Sequence, residues 1–231
     1  MINRSIIFKI IGSLLFIEAI LLLACLCMAV GYQEDDVLAF IITIILTTFT
    51  GIVLHFFGRH ANNYMSRRDA YLVVTLSWII FSLFGTFPFM ISGYIPNFTD
   101  AYFETMSGFT TTGASIIDDV DKLPHGLLFW RSMTQWIGGL GIVFFTTAIL
   151  PSFVGGSVKV FAAEATGPVT TRLHPRLSTN AKWIWVVYLV LTISCILSYM
   201  ICGMGWFDSI NYAMGTTATG GFSTHTDSAE F

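Results

Sequence analysis

The sequence predicts an all-α integral membrane protein with five transmembrane helices and two re-entrant half-helices. Three observations carry that prediction. Of 231 residues, 55% are hydrophobic and only 11% charged, with a mean hydropathy of +0.74, whereas soluble domains carry about 25% charged residues. The apolar residues fall into runs long enough to cross a hydrocarbon core, which takes about 20 helical residues. Between two such runs, 97–115 reads NFTDAYFETMSGFTTTGAS, too short and too polar at its end to span.

The elements follow in order. Arg4 and Lys9 ahead of a long apolar run imitate a secretory signal, and Leu22-Leu23-Ala24-Cys25 resembles a lipoprotein cleavage box. The apolar run 10–30 is longer than the roughly 7–15 residues of a signal core, so 6–30 reads as a retained transmembrane helix. Glu18 lies near its middle, a costly depth for a carboxylate and one that usually faces a protein interior. An acidic turn, Gln33-Glu34-Asp35-Asp36, leads to a second helix at 37–57. A basic loop with Arg59, His60, Arg67 and Arg68 precedes a third helix at 70–91.

A short helix at 100–109 then reaches roughly 15 Å, half a hydrocarbon thickness. Thr110, Thr111, Thr112 and Gly113 follow it, favouring extended backbone and then permitting positive φ. Irregular backbone at membrane depth is tolerated only where it is buried in protein or lines a water-filled path. A turn-rich link with Asp118, Asp119, Asp121, Lys122 and Pro124 leads into a fourth helix at 126–150. A polar loop carries Lys159, Arg172, His174, Arg176 and Lys182, and Pro151, Pro168 and Pro175 break any long helix within it. A fifth helix fills 183–202, followed by WFDSINYAMGTTATGGFSTHTDSAEF.

Charge placement orients the chain. With the N-terminus in the cytoplasm, Arg4, Lys9, Arg59, Arg67, Arg68, Lys159, Arg172, Arg176 and Lys182 fall inside, and only Lys122 and Arg131 fall outside. Both short helices then enter from an outer face that collects Glu34, Asp35, Asp36, Asp118, Asp119, Asp121, Asp227 and Glu230. An acidic mouth concentrates cations, although an outer face poor in basic residues reads the same way.

The opening stretch occurs twice. The run from Asp100 to Met106 aligns with that from Asp208 to Met214, and after a one-residue gap Gly108 to Ala114 aligns with Gly215 to Gly221. Gly113 and Gly220 are then equivalents, about 107 residues apart. The unit is helix, half-helix, filter, helix, complete once and truncated the second time, which places a functional site at the shared interface. It divides the chain into an N-terminal two-helix unit (1–68), a first pore unit (69–156), a cytoplasmic linker (157–180) and a second pore unit (181–231). Asp100 and Asp208 are expected as N-caps at the positive ends of the two dipoles, leaving the negative ends to favour a dehydrated cation. Backbone carbonyls of Thr111, Thr112 and Gly113, and of Ala218, Thr219 and Gly220, are the candidate ligands. Glycines at 113, 220 and 221 permit the unusual backbone this requires.

These residues resemble the Trk/Ktr/HKT superfamily of potassium transporters, and most closely its TrkH-type bacterial membrane subunit. The carriers are 100–115, the segment FWRSMTQWIGGLGI at 129–142, and 208–225 with its ATGGFSTH; two helices ahead of the first pore unit also fit. The resemblance covers the whole chain. It implies potassium uptake through a filter of four pseudo-equivalent loops, of which this chain holds two, in the bacterial cytoplasmic membrane. It further implies homodimers and a cytosolic nucleotide-binding regulatory ring of the Trk type. Carried over by motif, the filter positions are Thr110, Thr111, Thr112, Gly113 and Ala114, and Thr217, Ala218, Thr219, Gly220, Gly221 and Phe222, with potassium at Thr111, Thr112, Ala218 and Thr219. The chain ends before the second unit's outgoing helix, so it is read as an N-terminal portion that does not conduct alone.

Other features have simpler readings. Gly138, Gly139 and Gly141 let helices approach closely, with a gating hinge as the alternative. Arg131 either pairs with Glu104 on the short helix or snorkels to the outer interface. Cys25, Cys27, Cys195 and Cys202 lie in apolar segments without metal-ligand spacing and read as small buried hydrophobes. His55 and His60 are poorly spaced for metal, and His125, His174 and His225 are scattered. GxSxG, HExxH and Walker A motifs do not occur, so neither an enzyme nor a nucleic-acid partner nor an organic cofactor is expected. The basic segment 162–176 suits docking of a regulator or contact with anionic lipid. The alternative function is a non-conducting membrane scaffold whose Thr-Gly loops bind a partner.

Overall fold

The computed structural model describes residues 3–59, 61, 67–149 and 177–227, and no strand occurs among them. The first helix, α1 (Arg4–Tyr32), opens on Asn3, whose side chain accepts the Ile6 N–H, and ends on Gln33 in the left-handed region at φ 57°. It packs antiparallel to α2 (Val37–Gly58). A Cβ on Gly12 would lie 2.9 Å from the Gly51 carbonyl oxygen, so the two backbones nearly touch. Such contacts hold helices together in lipid, where apolar side chains gain little by leaving their surroundings.

Next come α3 (Arg67–Ile91), the short α4 (Phe98–Phe109), a 3-10 turn (Val120–Lys122) and α5 (His125–Ile149). The chain continues with α6 (Leu177–Ile201) and a second short helix, α7 (Trp206–Ala218). The hub is α5, which packs against α1, α3, α4, α6 and α7. Its Trp130 is fully buried, donates its indole N–H to the Gly85 carbonyl at 2.9 Å and meets Phe109 edge-on. By length and composition, α1, α2, Tyr71–Ile91 of α3 and Lys182–Ile201 of α6 are apolar enough to cross a membrane. Helix α5 occupies the place expected of the fourth span and turns sharply at Gly141, with φ 69° and ψ 139°.

One sequence expectation needs correction here. Of the cysteines, only Cys25 is buried; Cys195 is half-buried and Cys27 and Cys202 are exposed. Their helices are apolar all round, so composition does not separate a face turned to other helices from one turned outward. His60, Lys159, Arg172, His174, Arg176, Pro151, Pro168, Pro175, Glu230 and the basic segment 162–176 lie outside the described residues.

Candidate functional site

Both short helices begin earlier than expected. Asn97 caps α4, accepting the Thr99 N–H at 3.0 Å, which leaves Asp100 in the first turn rather than at the cap. Asp208 holds the same place in α7, after Gly205. Asparagine side chains close such turns locally, while a carboxylate one turn in still faces the positive end of the dipole. Asp208 also accepts the Thr224 hydroxyl at 2.7 Å.

The two C-termini are built alike. Thr111 N–H bonds Gly108 O and Thr112 N–H bonds Ser107 O, both at 2.9 Å. In α7, Thr219 N–H bonds Thr216 O at 3.0 Å and Gly220 N–H bonds Gly215 O at 2.9 Å. This pairing requires a left-handed residue just past the helix, usually glycine. Here it is Thr111 at φ 53° and Thr219 at φ 56°. Gln33 is the one other non-glycine residue with positive φ among those described. For a β-branched residue the left-handed region costs about 1–2 kcal/mol, and the same strain is held at the equivalent place in both loops.

Two residues further on, Gly113 and Gly221 take φ 74° and 87°, whereas Gly220 is not among the positive-φ glycines. The register is therefore a constant 108 positions, joining Asp100 to Asp208, Met106 to Met214, Thr111 to Thr219 and Gly113 to Gly221. The expected gap and the pairing of Gly113 with Gly220 are corrected by this geometry. The partners of Thr111 and Thr112 become Thr219 and Gly220, one residue along from Ala218 and Thr219. Glycine at 220 makes room for a neighbour instead: a Cβ there would have to displace the end of the Gln135 side chain. The two loops lie against each other, since a Cβ on Gly113 would run into the Gly220 carbonyl oxygen.

Beneath the loops lies a buried ion pair. Arg131 Nε donates to Glu104 Oε1 at 2.6 Å, with the side chains 3% and 0% exposed. Snorkelling is thereby excluded for Arg131. Its other donors reach both loops, one to the Ser223 carbonyl at 2.9 Å and one to the Ser115 hydroxyl at 3.1 Å. Ser115 also donates to Glu104, whose second oxygen accepts the Ile116 N–H. The guanidinium lies 4.0 Å over the Phe222 ring. Sequence reading missed Gln135, one helical turn after Arg131, whose side-chain oxygen accepts the Phe222 N–H at 3.1 Å. Its four-residue spacing from Arg131 was the available signal.

The other residues expected in the filter pack around this arrangement. The Thr110 hydroxyl lies 2.8 Å from both Met106 O and the Thr112 hydroxyl, and the Thr217 hydroxyl bonds Ala213 O. Ala218 is buried and Ala114 exposed. Gly138 admits the Phe109 carbonyl and Gly139 admits Ala218, so both short helices end seated on α5.

On the far side of the loops the acids are largely occupied. Glu34 meets His125 at 2.7 Å, Asp119 meets Lys122 and Asp121 meets His225. Hydrogen bonds from Thr226 and then His225 hold the Asp121 carboxyl down at about 2. Burial first, and Glu34 next, push Asp36 up to about 6. Much of the expected acidity is thus spent within the chain.

Long apolar helices around a pair of matched, strained loops define a multi-pass membrane protein. Residues 37–231 match the TrkH family model, described as a cation transport protein, and the chain belongs to that family. The family is one of transporters rather than enzymes. The chain is 40% identical over 225 residues to the Trk system potassium uptake protein TrkH of Vibrio parahaemolyticus, covering 96% of the chain and 46% of that protein. It is 38% identical over 221 residues to its namesake in Halomonas elongata, covering 95% and 46%. The crystal structure of the potassium transporter TrkH from Vibrio parahaemolyticus superposes with a TM-score of 0.77 at 37% identity, covering 98% of this chain and 45% of that one. The chain spans less than half the length of the curated relatives it matches.

Proposed function

We propose that this chain supplies two loops of a backbone-carbonyl selectivity filter for potassium uptake across the bacterial cytoplasmic membrane. The observation that carries the reading is the matched left-handed backbone at Thr111 and Thr219, each two residues ahead of a left-handed glycine. Such backbone turns consecutive carbonyls out of the helical ladder, leaving them to replace water around a cation. In the corrected register the paired ligands are Thr111, Thr112 and Gly113 with Thr219, Gly220 and Gly221. The first turns of α4 and α7 hold Asp100 and Asp208, and their C-terminal dipole ends favour a positive charge at the loops.

The chain divides into a two-helix unit (1–68), a first pore unit (69–156), a cytoplasmic linker (157–180) and part of a second pore unit (181–231). Its N-terminus lies in the cytoplasm, and a ring of about four loops requires the rest of a longer protein. That protein works as a homodimer in lipid and is governed by a cytosolic nucleotide-binding ring. At 100 mV, negative inside, inward movement of one charge gains about 2.3 kcal/mol. Rubidium uptake by the full-length parent tests the assignment: Gly113→Ser or Gly221→Ser should abolish flux or the preference for potassium over sodium. Unchanged flux with unchanged preference would sink it.

A further inference from the structure

His225 follows the second loop, and both of its ring nitrogens meet carboxylates. Nδ1 lies 2.7 Å from Asp121 Oδ1, and Nε2 lies 3.4 Å from Asp208 Oδ1. The two acids come from different parts of the chain. Asp121 belongs to the link between α4 and α5, and Asp208 to the first turn of α7. Neighbouring residues strengthen the same junction. Thr226 donates its N–H to Asp121 at 3.1 Å, and its hydroxyl accepts the Val120 N–H at 3.1 Å. The Ser223 hydroxyl donates to the His225 carbonyl at 2.6 Å, and the Ser223 carbonyl is the one that Arg131 holds.

An imidazole donates to two carboxylates at once only when both nitrogens carry protons. The neutral ring has a single N–H, so donating to Asp121 turns the lone pair of Nε2 towards Asp208, and that contact is lost. Histidine is the side chain that changes charge between pH 5 and 8. Asp121, held down at about 2, stays ionised throughout that range. The other titratable groups nearby lie on each element that meets His225. Asp119 is paired with Lys122, Tyr212 of α7 lies near Asp208, and Asp227 is exposed. Tyr32 of α1 and His125 of α5 line the same cavity as His225, Asp121 and Asp208. There His125 is committed to Glu34 and stacked on Tyr32.

We infer that His225 is a positioning residue whose protonated ring latches the end of the second loop to the link that follows the first. Its effect on ion passage rests on the reading of the two loops as parts of a potassium filter. In acid the ring joins Asp121 and Asp208, which fixes the loops relative to each other and holds the preference for potassium over sodium. Above the histidine range the Asp208 contact opens, and the second loop loses one of its ties.

Two measurements on the full-length protein, compared between pH 5 and 8, test this. The first is melting in detergent, which involves no ion flux. The gap in melting temperature between wild type and His225→Gln should be wide at pH 5 and narrow at pH 8. The second is rubidium uptake with competing sodium. The wild type should lose its preference severalfold as pH rises, His225→Gln should keep the alkaline value at every pH, and His225→Arg the acid one. A melting gap equal at both pH values overturns the latch. A gap that narrows as expected, with one selectivity profile shared by wild type and His225→Gln, overturns its hold on ion passage. Failure of the filter reading shows separately, as unchanged flux and preference in Gly113→Ser, and leaves the melting gap as it is.

Discussion

Arg131 donates to Glu104 across 2.6 Å while its remaining nitrogens hold Ser115 and Ser223. Those serines are equivalent positions, each two residues past a left-handed glycine. One guanidinium on α5 thus fixes the distal ends of both loops. A planar fork with several donors suits that task, and an ammonium does not.

Removing either partner leaves a buried charge without compensation. Arg131→Gln and Glu104→Gln are each expected to lower stability by about 3–5 kcal/mol. Arg131→Lys should recover only part of this, because one point donor cannot serve Glu104 and both loops. The reversed pair, Arg131→Glu with Glu104→Arg, should also recover little, since the Ser223 carbonyl then loses its donor. Melting of the purified protein in detergent checks all four variants.

The three loop glycines should respond differently to alanine. Gly113→Ala meets both a left-handed backbone and the Gly220 carbonyl, and should be the most damaging to rubidium uptake. Gly221→Ala meets the backbone penalty alone, with nothing within 4 Å of the new methyl, so the expected cost is about 1–2 kcal/mol. Gly220→Ala displaces the Gln135 amide. Its effect should be eased by Gln135→Ala, whereas that of Gly113→Ala should not.

Thr111→Gly and Thr219→Gly relieve a left-handed threonine. The relief of about 1–2 kcal/mol outweighs the roughly 0.5–1 kcal/mol entropic cost of glycine. Thermal stability should therefore hold or rise while the preference for potassium over sodium falls. A drop in melting temperature of either variant would contradict the strain assigned to these positions.

Asp121 sets an acid limit on the segment between α4 and α5. Its carboxyl is held down from 3.8 to about 2 by Thr226 and His225. A depressed carboxylate contributes stability that is present above 3.8 and lost as pH falls towards about 2. Melting curves over that window should steepen their decline in the wild type, and Asp121→Asn should flatten that part of the profile.

The amino-acid order determined much of this by itself. Long apolar runs define the spanning helices, and the spacing from Asp100 to Met106 and from Asp208 to Met214 announces two short helices of one kind. It also offered Arg131 and Glu104 as partners, without deciding between pairing and snorkelling. Their burial under both loops decided it. Register, caps and backbone handedness were tertiary matters. TTTGA and TTATGG slide past each other by one residue with a glycine matched either way. Glycine usually marks the left-handed position after a helix, but here threonine occupies it. Packing against Gln135 and Gly113 explains Gly220 instead, a contact that joins residues far apart in the chain and leaves no local trace in the sequence.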